Sequence, residues 1–161
     1  MSISPSLEKA VVNGIEDLHG LKDKIVGPSG WREVTQEMVD RFAELTGDDQ
    51  WIHVDVERAK TESPFGTTIA HGNLTLSLID GLRKELSEFS GFKLGVNYGW
   101  NKVRFPAPVV VGSRVRCYTQ IVEIEDVGNG WHQVVTRCTV EAEGNEKPVC
   151  VADSVGRVLA G

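Results

Sequence analysis

An acid and an imidazole stand five residues apart in Gly47-Asp48-Asp49-Gln50-Trp51-Ile52-His53. A second histidine and a glycine follow in Ile69-Ala70-His71-Gly72-Asn73. A carboxylate and an imidazole can trade protons with water near neutral pH, one as base and the other as acid. Neighbours on a helix face lie three or four residues apart, so a loop has to aim Asp48 and His53 at one cavity. Gly72 offers something different. The first N–H groups of a helix lack intrahelical partners and carry the positive end of the dipole. A glycine there lets a ligand approach closely, and such a site can hold a developing oxyanion.

Each residue also has a plainer reading. Asp48 can cap a turn. His53 can be a hydrogen-bonded core histidine, Gly72 a helix start without a ligand, and His71 a structural residue. The spacing alone leaves both readings open. A metal site is the weaker option: His53, His71, Asp48 and Asp49 are potential ligands, but no HExxH motif or cysteine pair accompanies them. There is no GxSxG elbow for a serine nucleophile and no glycine-rich phosphate loop.

The elements around these stretches can be read from spacing. Thr35 is a good N-cap, Glu37 suits the first turn, and Val39, Phe42, Ala43 and Leu45 give a helix ending near Gly47. Residues 48–54 read as a loop, and 56–61 as a short helix capped by Asp55. The strongest helix spans about 70–89, with Leu74, Leu78, Leu82 and Leu86 every four residues and Leu76 and Ile79 on other sides. That pattern predicts a helix buried over most of its girth, in which Ser77 and Asp80 need partners. Upstream, the spacing predicts a helix over 6–19 and a short strand at Trp31-Arg32-Glu33-Val34. Downstream, strands are expected at 101–105, 113–127, 131–143 and 149–159, with Gly128-Asn129-Gly130 as a hairpin turn. Helices first and an antiparallel meander second make the class α+β. One domain over 1–161 is expected, with 1–30 as an N-terminal helical extension.

The chain has 161 residues, 40% of them hydrophobic and 25% charged, which suits a globular domain with its own core. The net charge of −6 argues against nucleic acid as a partner. No apolar run is long enough to span a membrane. Residues 1–23 lack the basic start and apolar run of a signal peptide. Cys117, Cys138 and Cys150 show no metal-type spacing. Reduced core thiols in a cytoplasmic protein are expected.

Phe42-Ala43-Glu44-Leu45-Thr46-Gly47-Asp48-Asp49-Gln50-Trp51-Ile52-His53, followed after five residues by Ala59, resembles the hydratase motif of the MaoC-like dehydratase family. So does Phe65-Gly66-Thr67-Thr68-Ile69-Ala70-His71-Gly72. The stretch Asn97-Tyr98-Gly99-Trp100-Asn101-Lys102-Val103-Arg104-Phe105-Pro106-Ala107-Pro108-Val109 is similar to the nodulation-protein-N-like branch. The likeness covers about 34–158. It implies a hot-dog fold, a long central helix wrapped by an antiparallel sheet, in a homodimer with active sites near the subunit interface.

The implied reaction is (R)-specific hydration of the 2,3-double bond of a trans-2-enoyl thioester of coenzyme A or acyl carrier protein, and its reverse. The implied catalytic pair is Asp48, the base toward water, and His53, its partner in proton transfer. The backbone of Gly72 would bind the thioester oxygen. His71, Asn73, Trp51 and Phe65 are the further candidate substrate-binding residues. No metal or redox cofactor is implied. Two departures stand out: Gln50-Trp51 replaces the usual Asn-Pro, and Asp80 takes the place of a serine that orients the catalytic loop in some members. A thioesterase on the same fold and a non-catalytic acyl-binding module are the competing readings.

Overall fold

The computed structural model describes residues 8–161. Its centre is an antiparallel sheet in the order β2-β6-β7-β8-β5, built from β2 (Ile25–Val26), β5 (Phe92–Arg104), β6 (Arg114–Gly128), β7 (Trp131–Ala142) and β8 (Cys150–Ala160). A short strand, β3 (Arg32–Glu33), also pairs with β6. The expected hairpin turn joins β6 to β7, with Asn129 and Gly130 at positive φ.

Alternation explains how the sheet takes a helix on one face. Val115, Cys117, Thr119 and Ile121 of β6 are all buried on that face. Register sets Cys117 opposite Val140, Cys138 opposite Ala152, and Val140 opposite Cys150. Against this floor of mostly small side chains packs α5 (Gly72–Arg83), through Leu74, Leu78, Ile79 and Leu82. Val34 and Val39 complete the core, Val39 from α2 (Gln36–Thr46). This is the helix-on-sheet arrangement of the hot-dog fold, and the class is α+β as expected.

Several expected elements differ. The central helix stops at Arg83, not near Phe89; Leu86 is buried and the chain becomes strand β4 (Ser87–Ser90). Nor is the helix buried all round. Asn73, Ser77 and Asp80 face solvent, where Ser77 Oγ donates to the Asn73 carbonyl and Asp80 pairs with Arg83 at 2.7 Å. The leucines at every fourth position form one stripe, and one stripe is what the sheet covers.

The N-terminal segment is not wholly helical. Ser6 and Leu7 of the expected first helix lie outside the described residues, and Ala10–Asn13 is a strand, β1, parallel to β4. Val11 and Val12 are β-branched and favour it. The helix α1 (Gly14–Leu21) begins only at Gly14, which takes φ +82°. Its Leu18 packs with Ile121 and Val134 at the far end of the sheet. β2 then joins the sheet, so the described residues before Gly30 are part strand and part helix.

Candidate functional site

The site is built where two connections meet under the start of α5. α2 begins at Thr35, whose Oγ1 accepts from the Met38 N–H at 3.3 Å, and ends at Gly47, which takes φ +77°. Glycine tolerates that left-handed turn, and it sends Asp48 away from the helix. Residues 48–54 were expected to be loop throughout, but Trp51–Val54 forms one helical turn, α3. Gln50 enters it with ψ 134°, and the Asp55 N–H closes it onto the Trp51 carbonyl at 2.9 Å. That turn replaces part of the expected loop with a hydrogen-bonded segment. It also carries His53 inward, to 8% exposure. Asp55 then caps α4 (Val56–Glu62) through the Arg58 N–H.

Backbone carbonyls set both imidazole tautomers. His53 Nδ1 lies 2.7 Å from the Ile69 carbonyl. A carbonyl only accepts, so Nδ1 carries the hydrogen and Nε2 of the neutral ring is bare. His71 Nε2 lies 2.8 Å from the Asp48 carbonyl and is likewise the donor, which leaves its Nδ1 bare. The two rings stack with centroids 3.9 Å apart and planes 27° apart. Phe42 lies on His71 at 4.9 Å. An Asp48 carboxylate oxygen and one ring nitrogen from each histidine fall within 4.8 Å of one another. Among the described residues this is the one trio spaced for a metal ion, and each ring keeps one nitrogen that is not bonded to a carbonyl.

A second layer holds this arrangement. Gln36 Nε2 donates to the His53 carbonyl and to Asp40, each at 2.8 Å. Thr68 Oγ1 donates to Gln36 Oε1 at 2.6 Å. The Ile69 N–H donates to the Ile52 carbonyl at 3.2 Å. Loop 48–53 and segment 68–71 are thus laced together.

A cavity of about 330 Å³ opens beside them, lined by His53, Phe65, Gly72, Thr75, Phe105 and Pro108 among others. Gly72 begins α5, and no side chain caps that helix start. A Cβ on Gly72 would meet the Phe105 ring at 2.8 Å, so any larger residue there would have to displace that ring. The expected site residues divide clearly. His53, Gly72 and Phe65 line the cavity, and the exposed Asp48 stands beside the histidines. His71 is buried at 2% exposure behind His53, away from the cavity wall. Asn73 points to solvent, and Trp51 packs under the Arg58 guanidinium at 4.3 Å. Asp80 is on the exposed side of α5, paired with Arg83. Sequence reading missed Gln36, Thr68 and Phe105. Phe105 and Thr68 stood in the motif stretches without a role, while Gln36 gave no signal.

The three cysteines are buried in the core under α5. A hydrogen bond shared with Cys138 and burial push the Cys117 thiol up, and burial pushes Cys150 up to about 11. None lines the cavity or serves it as a nucleophile. A larger cavity of about 660 Å³ lies at the other end of α5, between Arg83, Phe92, Asn97 and Ile121, and is lined by none of the expected site residues.

Residues 21–143 match the model of the MaoC like domain. A 3-hydroxyacyl-thioester dehydratase Z of Mycobacterium tuberculosis is 53% identical over 146 residues, 91% of this chain and 96% of its own. Nodulation protein N of Rhizobium leguminosarum bv. viciae is 42% identical, covering 80% of each chain. Among solved structures, the monoamine oxidase regulatory protein from Archaeoglobus fulgius superposes with a TM-score of 0.79 at 27% identity, over 96% of this chain and 99% of its own.

Proposed function

This chain belongs to the MaoC-like dehydratase family, and on that premise we propose that it interconverts a 3-hydroxyacyl thioester and its trans-2-enoyl form by removing or adding water. The observation that carries the site assignment is the His53 Nδ1 bond to the Ile69 carbonyl, which leaves the other nitrogen bare on an imidazole that lines the same cavity as Gly72.

Hydration forms one carbon–oxygen bond and moves one proton from water to C2. A water held between Asp48 and His53 loses a proton to the Asp48 carboxylate as its oxygen bonds to C3. The electron pair of the double bond moves through C2 onto the thioester oxygen. That oxygen gains negative charge only in the transition state, so a donor placed for it accelerates the step. The Gly72 N–H at the start of α5 is that donor, aided by the helix dipole. C2 then takes a proton through the acid–imidazole pair, which returns to its starting state. The product expected is the (R)-3-hydroxyacyl thioester. No metal or redox group is needed for this proton bookkeeping.

The carrier is coenzyme A or acyl carrier protein. The assembly is a homodimer, supported by β5. Among the described residues, β5 ends the sheet with an edge that pairs with no strand, and Leu94, Val96 and Tyr98 on it are 50%, 41% and 60% exposed. A long edge of that kind is a template for pairing with a second copy. The cytoplasm is the compartment, supported by three buried free thiols. No helix of the described residues is long and apolar enough to cross a membrane.

Ultraviolet absorbance of crotonyl-CoA and longer enoyl-CoAs tests the reading. Loss of the enoyl signal with the wild type and not with Asp48→Asn is the expected result. Release of free thiol with the double bond intact would replace hydration by thioester hydrolysis.

A further inference from the structure

We propose that His71 is a positioning residue, which sets where Asp48 stands relative to His53 and does not itself touch substrate. The inference rests on the reaction proposed above. Three observations carry it. His71 is 2% exposed and is absent from the cavity wall, so a bound thioester does not reach it. Its Nε2–H donates to the backbone carbonyl of Asp48 at 2.8 Å, which ties the start of the exposed acid loop to the buried start of α5. Its ring stacks on His53 at 3.9 Å and meets Phe42, tilted by 54°, at 4.9 Å.

The remaining nitrogen strengthens the case. Among the described residues, His71 Nδ1 is the one buried side-chain nitrogen or oxygen left without a hydrogen-bond partner. A buried polar atom without a partner opposes folding. Packing alone would be served better by an apolar ring of similar size, which would leave no such atom. What a phenyl ring cannot supply is the donor to Asp48. Asp48 has no other anchor of comparable geometry: its own N–H reaches Thr46 Oγ1 only at 3.4 Å. The His71 bond therefore decides the placement of the carboxylate, and the His71 ring supports the face of His53.

Two variants separate the donor from the ring. His71→Phe keeps an aromatic layer and loses the donor; His71→Gln keeps an amide N–H of similar reach and loses the layer. Both are compared with the wild type for kcat and KM on crotonyl-CoA, with far-ultraviolet circular dichroism to check folding. The expected result is that His71→Phe lowers kcat by about 100-fold, the order found for a reacting group displaced by an ångström, with KM little changed. His71→Gln is expected to recover about a tenth or more of the wild-type kcat. Equal activity in wild type and His71→Phe overturns the proposal, as does a Gln variant worse than the Phe variant. Failure of both variants to fold also overturns it and makes His71 a core residue. A wild type inert on every enoyl thioester sinks the reaction itself, and the positioning role with it, whereas an active wild type beside an equally active Phe variant sinks only the role of His71.

Discussion

His53 and His71 lie ring on ring, 3.9 Å between centroids, yet their bonded nitrogens face two different backbone carbonyls, those of Ile69 and Asp48. One histidine is thereby presented to the cavity and the other to the loop that carries the acid. Two residues of one type, eighteen positions apart in the chain, hold different places because neighbouring carbonyls choose which nitrogen keeps its hydrogen.

Removing the acid should silence the reaction without unfolding the protein. Asp48 is exposed, so Asp48→Asn is expected to leave the melting temperature nearly unchanged. Loss of a general base costs roughly 100- to 10,000-fold in rate. The decay of enoyl absorbance, read beside a thermal melt, checks both halves.

Gly72 and Phe105 should behave as a pair. An alanine Cβ at Gly72 would press on the Phe105 ring at 2.8 Å. Gly72→Ala is expected to reduce kcat/KM by about 10-fold or more, the cost of losing or displacing one oxyanion donor being at least that large. Adding Phe105→Ala should recover part of any lost stability, because it removes the clash. A double-mutant cycle on urea midpoints and on kcat/KM measures the coupling.

The one-sided burial of α5 can be tested by stability alone. Leu82 is 1% exposed, so Leu82→Ala is expected to cost about 2–5 kcal/mol, the range for a large core side chain cut to alanine. Ser77 is exposed, and Ser77→Ala should stay within about 0.5 kcal/mol of the wild type. Urea unfolding of both variants distinguishes this from a helix buried all round, in which both changes would be costly.

The cysteines give a pH prediction. Burial holds Cys150 as a thiol up to about 11, against an ordinary value of 9.0. Because the folded value is the higher one, the unfolded chain loses this proton first as pH rises. The stabilisation is therefore whole below pH 9.0 and is lost as the pH climbs toward 11. Native protein at pH 8 should be nearly inert to a thiol-reactive dye, and all three cysteines should react once guanidinium unfolds it.

Charging the open edge tests the assembly. Val96→Lys together with Tyr98→Glu, both at exposed positions of β5, should convert a dimer to a monomer if that edge is where two copies pair. Light scattering after size-exclusion chromatography reads the mass directly. A dimer that survives the double change places the interface elsewhere.

Local chemistry carried much of this protein in plain view. The Thr35 and Asp55 caps, the Gly47 stop and the Gly128-Asn129-Gly130 hairpin follow from neighbouring residues alone, and the structure keeps all of them. The motifs around Asp48, His53 and Gly72 marked the family by residue type and spacing. Tertiary packing decided the rest. Helical spacing over 84–89 lost to Leu86 burial and the pairing of β4 with β1, since a strand partner far away in sequence cannot be read from local periodicity. The same pairing made 10–13 a strand. The burial of His71, the choice of tautomer at each histidine, the brace from Gln36 and the ring of Phe105 over Gly72 all depend on groups 16 to 33 residues apart meeting in space. A sequence displays which side chains are available for proton transfer; only the fold decides which nitrogen is left bare and what it faces.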